Sequence, residues 1–313
     1  MVLISISQIQ NFFNDIIMNV ITSLICTGIG FLFGICFSRL QARLYRRNIQ
    51  KITRFNVNNK NESLRVDAYY ANSGKKDAGE SVNLGYPFEY MAIAMLETQL
   101  LALNKCLELR SGPAPATKIE VEGLSKDSDL IILGGPFHNL LTGYIFGLKK
   151  EYHNVPFYFD DLSVDVNGQI RGDEATLVFD NGEPFKFEEN CFIPLKDVDN
   201  KFYHTDYALI LNVRNPFNPK KRIISFIGCR SIGVYGAAMY FNKYSNEIKK
   251  NIKYDQYAII IRVNGEQDNI VGEPRFLKSV ELNSIDLGNI TSKYIKDLKI
   301  ISVSCNYKKQ KIE

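Results

Sequence analysis

Residues 226–242 read FIGCRSIGVYGAAMYFN and combine an apolar run, a glycine-containing turn and a helix pattern rich in small residues. The apolar run is typical of a buried strand, and the small residues favour a helix that packs closely on a sheet. In such a strand–turn–helix unit, backbone N–H groups and the positive end of the helix can meet an anion. The stretch therefore predicts an α/β fold and raises the question of a phosphate-binding turn.

The glycines of this turn match neither of two phosphate-binding patterns. Gly228, Gly233 and Gly236 do not form G-x-G-x-x-G, and the two residues after Gly233 are not the Lys and Ser or Thr of a Walker A turn. Without that lysine and hydroxyl we do not expect an NTPase. Phosphate binding by main-chain N–H groups, with Arg230 and Ser231 beside them, stays open, as does a purely packing role for the glycines.

Strands and helices alternate on both sides of this turn, which predicts a mostly parallel sheet. We predict strands over residues 64–71, 129–133, 207–213, 222–227 and 257–263. A helix is predicted from Pro87 to about Arg110, and hairpin signals predict an antiparallel β-rich insertion over about 155–194. The general shape resembles Rossmann-like nucleotide-binding domains, and this resemblance implies a fold and no chemistry.

A second predicted strand, residues 129–133, runs directly into Gly134 and Gly135, and Asn139 is expected to cap the helix that follows. In open α/β sheets, ligands bind at the carboxyl ends of strands. Two glycine turns and the loop 72–85 could therefore surround one pocket. The predicted ligand-binding residues are Lys75, Gly134, Gly135, Asn139, Gly228, Arg230, Ser231 and Gly233.

Catalytic candidates are few, because the three histidines form no HxH or HExxH pair. His138, beside the second glycine turn, is the best-placed acid or base, with a structural histidine as the alternative. Glu89, near the start of the first predicted helix, could stabilise an oxocarbenium-like transition state. Its alternative is a favourable placement at the positive end of a helix. Asp129 and Asp206 each begin an apolar strand and suit solvated positions at strand ends.

The N-terminal region contains an uncharged apolar segment of 22 residues, 16–37, and ~20 residues suffice for a membrane-spanning helix. No basic residue precedes it, and a basic stretch follows it, which favours an uncleaved single-pass anchor over a signal peptide. Because basic flanks stay in the cytoplasm, the N-terminus is expected outside the cell membrane and the remainder in the cytoplasm.

Charge and composition limit the classes of partner that we expect for this chain. Beyond residue 54 the chain carries 32 basic and 33 acidic residues, so we expect no nucleic-acid partner. The basic residues up to position 54 are expected to attract anionic lipids of the bilayer. Gly30 and Gly34 form a GxxxG pattern that predicts a homo-oligomer, although glycine spacing by chance is an alternative. The six cysteines form no CxxC pair, and we predict no metal and no cofactor.

The expected organisation is an extracytoplasmic N-terminus (1–15), a transmembrane helix (16–37), a basic juxtamembrane segment and linker (38–63), a cytosolic α/β domain (64–305) and a basic tail (306–313). Our first hypothesis is a sensor or effector at the inner face of a prokaryotic membrane that binds a nucleotide-like or other phosphorylated small molecule. The rivals are a membrane-bound hydrolase or transferase of a nucleotide or sugar-nucleotide, and a structural or partner-binding membrane protein.

Overall fold

The computed structural model describes residues 6–55, 63–70, 87–104, 106–114, 128–135, 139–148, 155–160, 163–164, 170–171, 176–184, 186–196, 203–265 and 271–283. The chain divides into two compact units, Met1–Arg47 and Asn48–Glu313. The helices are α1 (Ile6–Thr53), α2 (Pro87–Leu103), α3 (Leu140–Phe146), α4 (Phe187–Asn190), α5 (Ser231–Lys243) and α6 (Ser245–Asn251).

In the first unit, the described residues form helix α1 up to Arg47. This helix is long and apolar enough to cross a membrane by its length and composition. The hydroxyl groups of Thr22 and Thr27 donate to the carbonyls of Met18 and Ser23, four residues earlier, which satisfies two polar groups inside the apolar stretch. Residues 38–53, expected to form a basic segment leading into a linker, continue the same helix.

The second unit contains thirteen described strands, numbered in chain order. They are β1 (Leu64–Tyr70), β2 (Leu107–Pro113), β3 (Asp129–Leu133), β4 (Phe157–Asp160), β5 (Ser163–Val164), β6 (Ile170–Arg171), β7 (Thr176–Phe179), β8 (Cys191–Phe192), β9 (Leu195–Lys196), β10 (Tyr203–Asn215), β11 (Asn218–Gly228), β12 (Tyr257–Asn264) and β13 (Arg275–Glu281). Seven of them form the main sheet in the order β2-β1-β3-β11-β10-β12-β13, and β9, β5 and β6 extend it from the start of β10.

The main sheet is mixed, and this corrects the expectation of a mostly parallel sheet. Strands β2, β1, β3 and β11 are parallel, whereas β10, β12 and β13 join by antiparallel pairing. The reversal follows from the short turn after Asn215, whose side-chain oxygen accepts the N–H of Phe217, because a turn this short can join only antiparallel neighbours. A second, antiparallel sheet, β4-β7-β8, lies within the segment 155–194.

Helix α2 is shorter than the sequence predicts, and its predicted last turn is a strand. The helix ends at Leu103, and β2 begins at Leu107, which pairs in parallel with Leu64 of β1. The side-chain oxygen of Asn104 accepts the N–H of Cys106 and thereby stabilises the turn between the two elements. Leucines at 103 and 107 fit a helical period, but pairing with β1 decides the conformation of the second.

Helices lie on both faces of the main sheet. Helices α2 and α5 pack against each other and against the main sheet on one face. On the other face, α3 and the second sheet share an apolar core with β3, β10, β11 and β12. The chain passes from β1 through α2 to β2 on one side, and β3 lies on the other side of β1. The carboxyl ends of β1, β3 and β11 consequently meet at one edge of the sheet.

Candidate functional site: the glycine-turn edge

The two glycine turns are in contact at this edge. The N–H of Gly134, which follows β3, donates to the carbonyl of Phe226 in β11 at 3.0 Å. A Cβ atom placed on Gly135 would lie 3.5 Å from the carbonyl oxygen of Gly228. Gly134 has a φ of 101°, a conformation that side chains disfavour. We call residues 134–135 and 228–233 together the glycine-turn edge.

Asn139 caps helix α3, as the sequence predicts, and also ties two strands together. Its side-chain oxygen accepts the N–H groups of Leu141 at 3.0 Å and Thr142 at 3.3 Å. Its amide nitrogen donates to the carbonyls of Leu133 at 2.8 Å and Tyr69 at 3.4 Å. The side chain is fully buried. These hydrogen bonds give Asn139 a structural role, and its role in ligand binding stays a prediction.

Asp206, for which the sequence predicts a solvated position, is fully buried and holds the glycine turn after β11. Its Oδ2 atom accepts the N–H of Gly233 at 2.7 Å and the N–H of Arg230 at 3.1 Å. Its Oδ1 atom accepts the N–H of Tyr207 at 2.8 Å. Asp206 lies on β10, 27 residues before Gly233, and no local pattern in the sequence links the two.

The carboxyl group of Asp206 therefore accepts hydrogen bonds from two amides that could otherwise donate to a phosphate. Burial raises its pKa to about 7, while the amide donors and the Arg230 guanidinium act in the opposite direction. The first four N–H groups of a helix have no intrahelical acceptor. Within the described part of the chain, the amides of Ser231 and Ile232 donate to no backbone carbonyl.

Steric contacts explain all three glycines in this turn, and at Gly228 a Cβ atom would overlap the backbone of Arg230 and Val234. A Cβ atom on Gly233 would lie 2.5 Å from Oδ2 of Asp206 and 3.0 Å from the carbonyl oxygen of Tyr207. A Cβ atom on Gly236 would overlap the methyl groups of Val263 in β12. Glycine at positions 233 and 236 lets α5 approach β10 and β12 closely. A packing role is therefore present at these two positions, and ligand binding by Gly233 stays a prediction.

The start of α2 brings Glu89 to the same edge. Glu89 is 2% exposed, and two aromatic contacts flank it along the helix. The ring centroids of Tyr70 and Tyr90 lie 4.9 Å apart, and those of Phe88 and Tyr235 lie 5.7 Å apart. A hydrogen bond with Tyr90, burial and the charge of Glu89 raise the pKa of Tyr70 to about 12. The first turn of α2 thus lies between the end of β1 and the start of α5.

Two sequence-predicted site residues, Lys75 and His138, lie outside the described residues. The described part of the chain contains no group of three or more His, Cys, Asp or Glu side chains that could hold a metal ion. Asp129, the other carboxylate expected in solvent, is also fully buried, and its Oδ1 atom accepts the N–H of Arg222 at 2.7 Å. Burial raises the pKa of Asp129 to about 6.

A cavity of about 380 Å³ lies elsewhere, between the second sheet and the end of β13. Its walls are formed by Val155, Pro156, Asp180, Asn181 and residues 280–283. None of the predicted site residues lines it. The volume of a cavity therefore does not identify the glycine-turn edge as a site. The features that point to it are the carboxyl ends of the parallel strands and the buried side chains of Glu89 and Asp206.

No protein-family model matches the chain, and no curated protein matches its sequence.

Proposed function

We propose that the protein is a membrane-anchored sensor or effector whose α/β domain binds a nucleotide-like or other phosphorylated small molecule at the glycine-turn edge. In this proposal the domain is called Rossmann-like because its fold is analogous to that of Rossmann-like domains. The apolar part of α1 holds it at a cell membrane, with the N-terminus outside and the α/β domain in the cytoplasm. Gly30 and Gly34 supply the close helix contact of a homo-oligomer.

The observation that carries this proposal is the contact between two glycine turns that follow neighbouring parallel strands. A Cβ atom on Gly135 would lie 3.5 Å from the carbonyl oxygen of Gly228, so both turns border one small region. That region is next to the point where the chain order of the sheet reverses, between β1 and β3. Ligands of open α/β sheets bind at such points.

The groups at the edge suit a ligand with an aromatic ring and a phosphate. The partly exposed aromatic side chains of Tyr70, Phe88 and Tyr235 and the exposed ring of Tyr90 offer faces on which a base can stack. The amides of Ser231 and Ile232 and the guanidinium of Arg230 suit an anion at the start of α5.

The protonation state of Asp206 affects the binding of such a phosphate. A phosphate beside the ionised carboxylate meets like-charge repulsion, whereas the neutral acid removes it. Since burial raises the pKa of Asp206 to about 7, both forms are within reach near neutral pH. A bound phosphate is therefore expected to favour the protonated form and to take up a proton from solution.

The test is a thermal-shift screen of the full chain in detergent micelles against nucleotides, dinucleotides, cyclic oligonucleotides and sugar nucleotides. Ligand at 100 times its Kd stabilises the folded protein by about 2.7 kcal/mol, which gives an easily measured shift. The matched pair of variants is Arg230→Ala at the edge and Arg275→Ala on the exposed face of β13.

A stabilising ligand whose effect is lost in Arg230→Ala and kept in Arg275→Ala supports the proposal. Equal losses in the two variants would indicate a charge effect without a site. No shift across the panel would favour the third hypothesis, in which the glycine turns serve packing and the protein acts through protein partners.

The burial of Glu89 favours a second candidate, a membrane-bound hydrolase or transferase acting on a nucleotide or sugar-nucleotide. A carboxylate that is 2% exposed at the start of α2 could stabilise positive charge on a ribosyl group during glycosidic cleavage. Glu89→Gln keeps the shape of the side chain and removes its charge. Normal ligand binding with lost turnover in this variant would support the enzyme, and unchanged turnover would exclude this role for Glu89.

A further inference from the structure

The last turn of α1 is bound by two side chains of the main sheet. Asn212 on β10 donates through Nδ2 to the carbonyls of Ile52 at 2.7 Å and Thr53 at 2.9 Å. The hydroxyl of Tyr257 on β12 also donates to the carbonyl of Ile52. The last carbonyls of a helix have no intrahelical donor, so these bonds satisfy groups that would otherwise be buried without a partner.

The same strand holds the glycine-turn edge at its other end. Asp206 and Asn212 are six residues apart on β10 and, because successive side chains alternate, lie on the same face. At ~3.3 Å per residue, about 20 Å separates them. One of them binds the first turn of α5, and the other binds the last turn of α1.

Helices α5 and α6 form a second connection between these two places. Helix α5 begins at the turn held by Asp206 and leads into α6. Nδ2 of Asn48 in α1 donates to Oδ1 of Asn246 in α6, and Nζ of Lys249 donates to Oδ1 of Asn48 at 2.7 Å. The end of α1 is thus reached from the glycine-turn edge both through β10 and through α5 and α6.

Close packing limits independent movement along this path. A Cβ atom on Gly236 would overlap the methyl groups of Val263, so α5 lies close against β12 at this point. The side chain of Gln99 in α2 donates to the carbonyl of Phe241 near the end of α5 at 3.2 Å. Because packed elements slide in small steps and do not deform continuously, we expect a shift of the first turn of α5 to move the helix as a body.

We propose that the first turn of α5 and the last turn of α1 are energetically coupled through β10 and the α5–α6 pair, so that occupancy of the glycine-turn edge is transmitted to the end of α1. The signalling meaning of this coupling rests on the proposed ligand-binding function. The coupling itself is a property of the unliganded chain. The element that changes state is the first turn of α5, held by Asp206 or released from it.

The experiment is hydrogen–deuterium exchange of the full chain in lipid nanodiscs, without any ligand. Asn212→Ala removes the donor to Ile52 and Thr53, and Tyr257→Phe removes a single hydroxyl if the first variant folds poorly. The control is Val178→Ala in the second sheet, a buried residue outside the path. Urea unfolding identifies conditions under which variants and control have equal global stability.

Coupling predicts that the amides of Arg230, Gly233 and Val234 exchange at least about fivefold faster in Asn212→Ala or Tyr257→Phe than in the control. The N–H of Arg54 donates to the carbonyl of Gln50 in the last turn of α1. Because coupling is reciprocal, Asp206→Asn must accelerate the hydrogen exchange of this Arg54 amide.

Changes confined to the mutated end, or equal changes in Val178→Ala, would overturn the coupling. A failed ligand screen would overturn the proposed function and leave this exchange result unaffected, so the two failures are distinguishable.

Discussion

At the scale of single residues, Asp206 determines how the glycine turn after β11 is built. A carboxylate of the protein itself takes the place that an external anion takes in many strand–turn–helix units. Its Oδ2 atom accepts the amides of Arg230 and Gly233, and the side chain is fully buried. Two amides of the turn thus have an acceptor within the protein, and a ligand at this turn would have to use the neighbouring donors or displace this carboxyl group.

The contact between Gly233 and Asp206 predicts the effect of a single methyl group. Gly233→Ala places Cβ about 2.5 Å from Oδ2 of Asp206, and overpacking of this kind destabilises by about 1–3 kcal/mol. Gly112→Ala is the matched control, because a Cβ atom there has no neighbour within 4 Å among the described residues. Urea unfolding should show a lowered midpoint for Gly233→Ala, and the control should change the free energy of unfolding by less than about 0.5 kcal/mol. Equal midpoints for the two variants would show that the contact is not tight.

The titration of Asp206 predicts a pH dependence of stability. Burial raises the pKa of Asp206 in the folded protein to about 7, whereas the unfolded value is about 3.9. Between these values the folded state holds a proton that the unfolded chain has released, so the free energy of unfolding falls as pH rises from about 4 to 7. Asp206→Asn lacks this contribution.

Urea titrations at pH 5 and pH 8 measure this effect as the stability of the wild-type protein minus that of Asp206→Asn. We expect this difference to be larger at pH 5. A larger difference at pH 8 would mean that the amide donors and Arg230 outweigh burial and keep the carboxylate ionised.

At the scale of elements, the end of α1 is part of the α/β domain. Ile49, Ile52 and Phe55 are at most 1% exposed. Arg54 has a φ of 59°, the left-handed conformation that commonly ends a helix. The basic and apolar residues of this segment therefore divide by face, since Lys51 and Arg54 are exposed while Ile49 and Ile52 are buried. A purely juxtamembrane role does not account for that buried face.

This packing predicts where a soluble fragment can begin. A fragment starting at residue 56 loses the burial of Ile49, Ile52 and Phe55, worth about 1.5–3 kcal/mol for each side chain, and leaves the donors of Asn212 and Tyr257 without acceptors. The sum approaches the whole stability of a typical domain, ~5–15 kcal/mol.

We expect a fragment starting at Asn48 to unfold cooperatively in urea and the fragment starting at residue 56 to be unfolded or aggregated. Equal unfolding midpoints of the two fragments would show that the last turn of α1 adds nothing to the domain.

At the scale of the whole molecule, α1 joins a segment long and apolar enough for a bilayer to an α/β domain with a mixed sheet. The proposed orientation places that domain in the cytoplasm, and Cys106 provides a native probe because it is exposed in the domain. In a variant with the other five cysteines replaced by serine, a membrane-impermeant maleimide should label inside-out vesicles and leave intact cells unlabelled. Labelling of intact cells would reverse the orientation, and recovery of the protein in the soluble fraction would remove the membrane from the proposal.

The sequence alone allowed part of this protein to be predicted, because some signals are local. A continuous apolar helix follows from an uncharged segment of 22 residues, and the strand–turn–helix order around residues 226–242 follows from the change of period at Gly228. The sequence predicts Asn139 as a helix cap because its amide partners are only two or three residues away.

Other features were decided by contacts between distant parts of the chain. Residues 107–110 fit a helical period, but pairing with β1 makes them a strand. The sequence predicts Asp206 in solvent, yet amides at the start of α5 donate to its carboxyl group. The end of α1 became part of the domain because Asn212 and Tyr257, some 160 and 205 residues away, reach its carbonyls. The sequence by itself determined the local elements, whose periods and caps involve neighbouring residues. Only the tertiary structure decided which buried polar groups found partners, because those bonds join residues whose separation in the chain leaves no pattern to read.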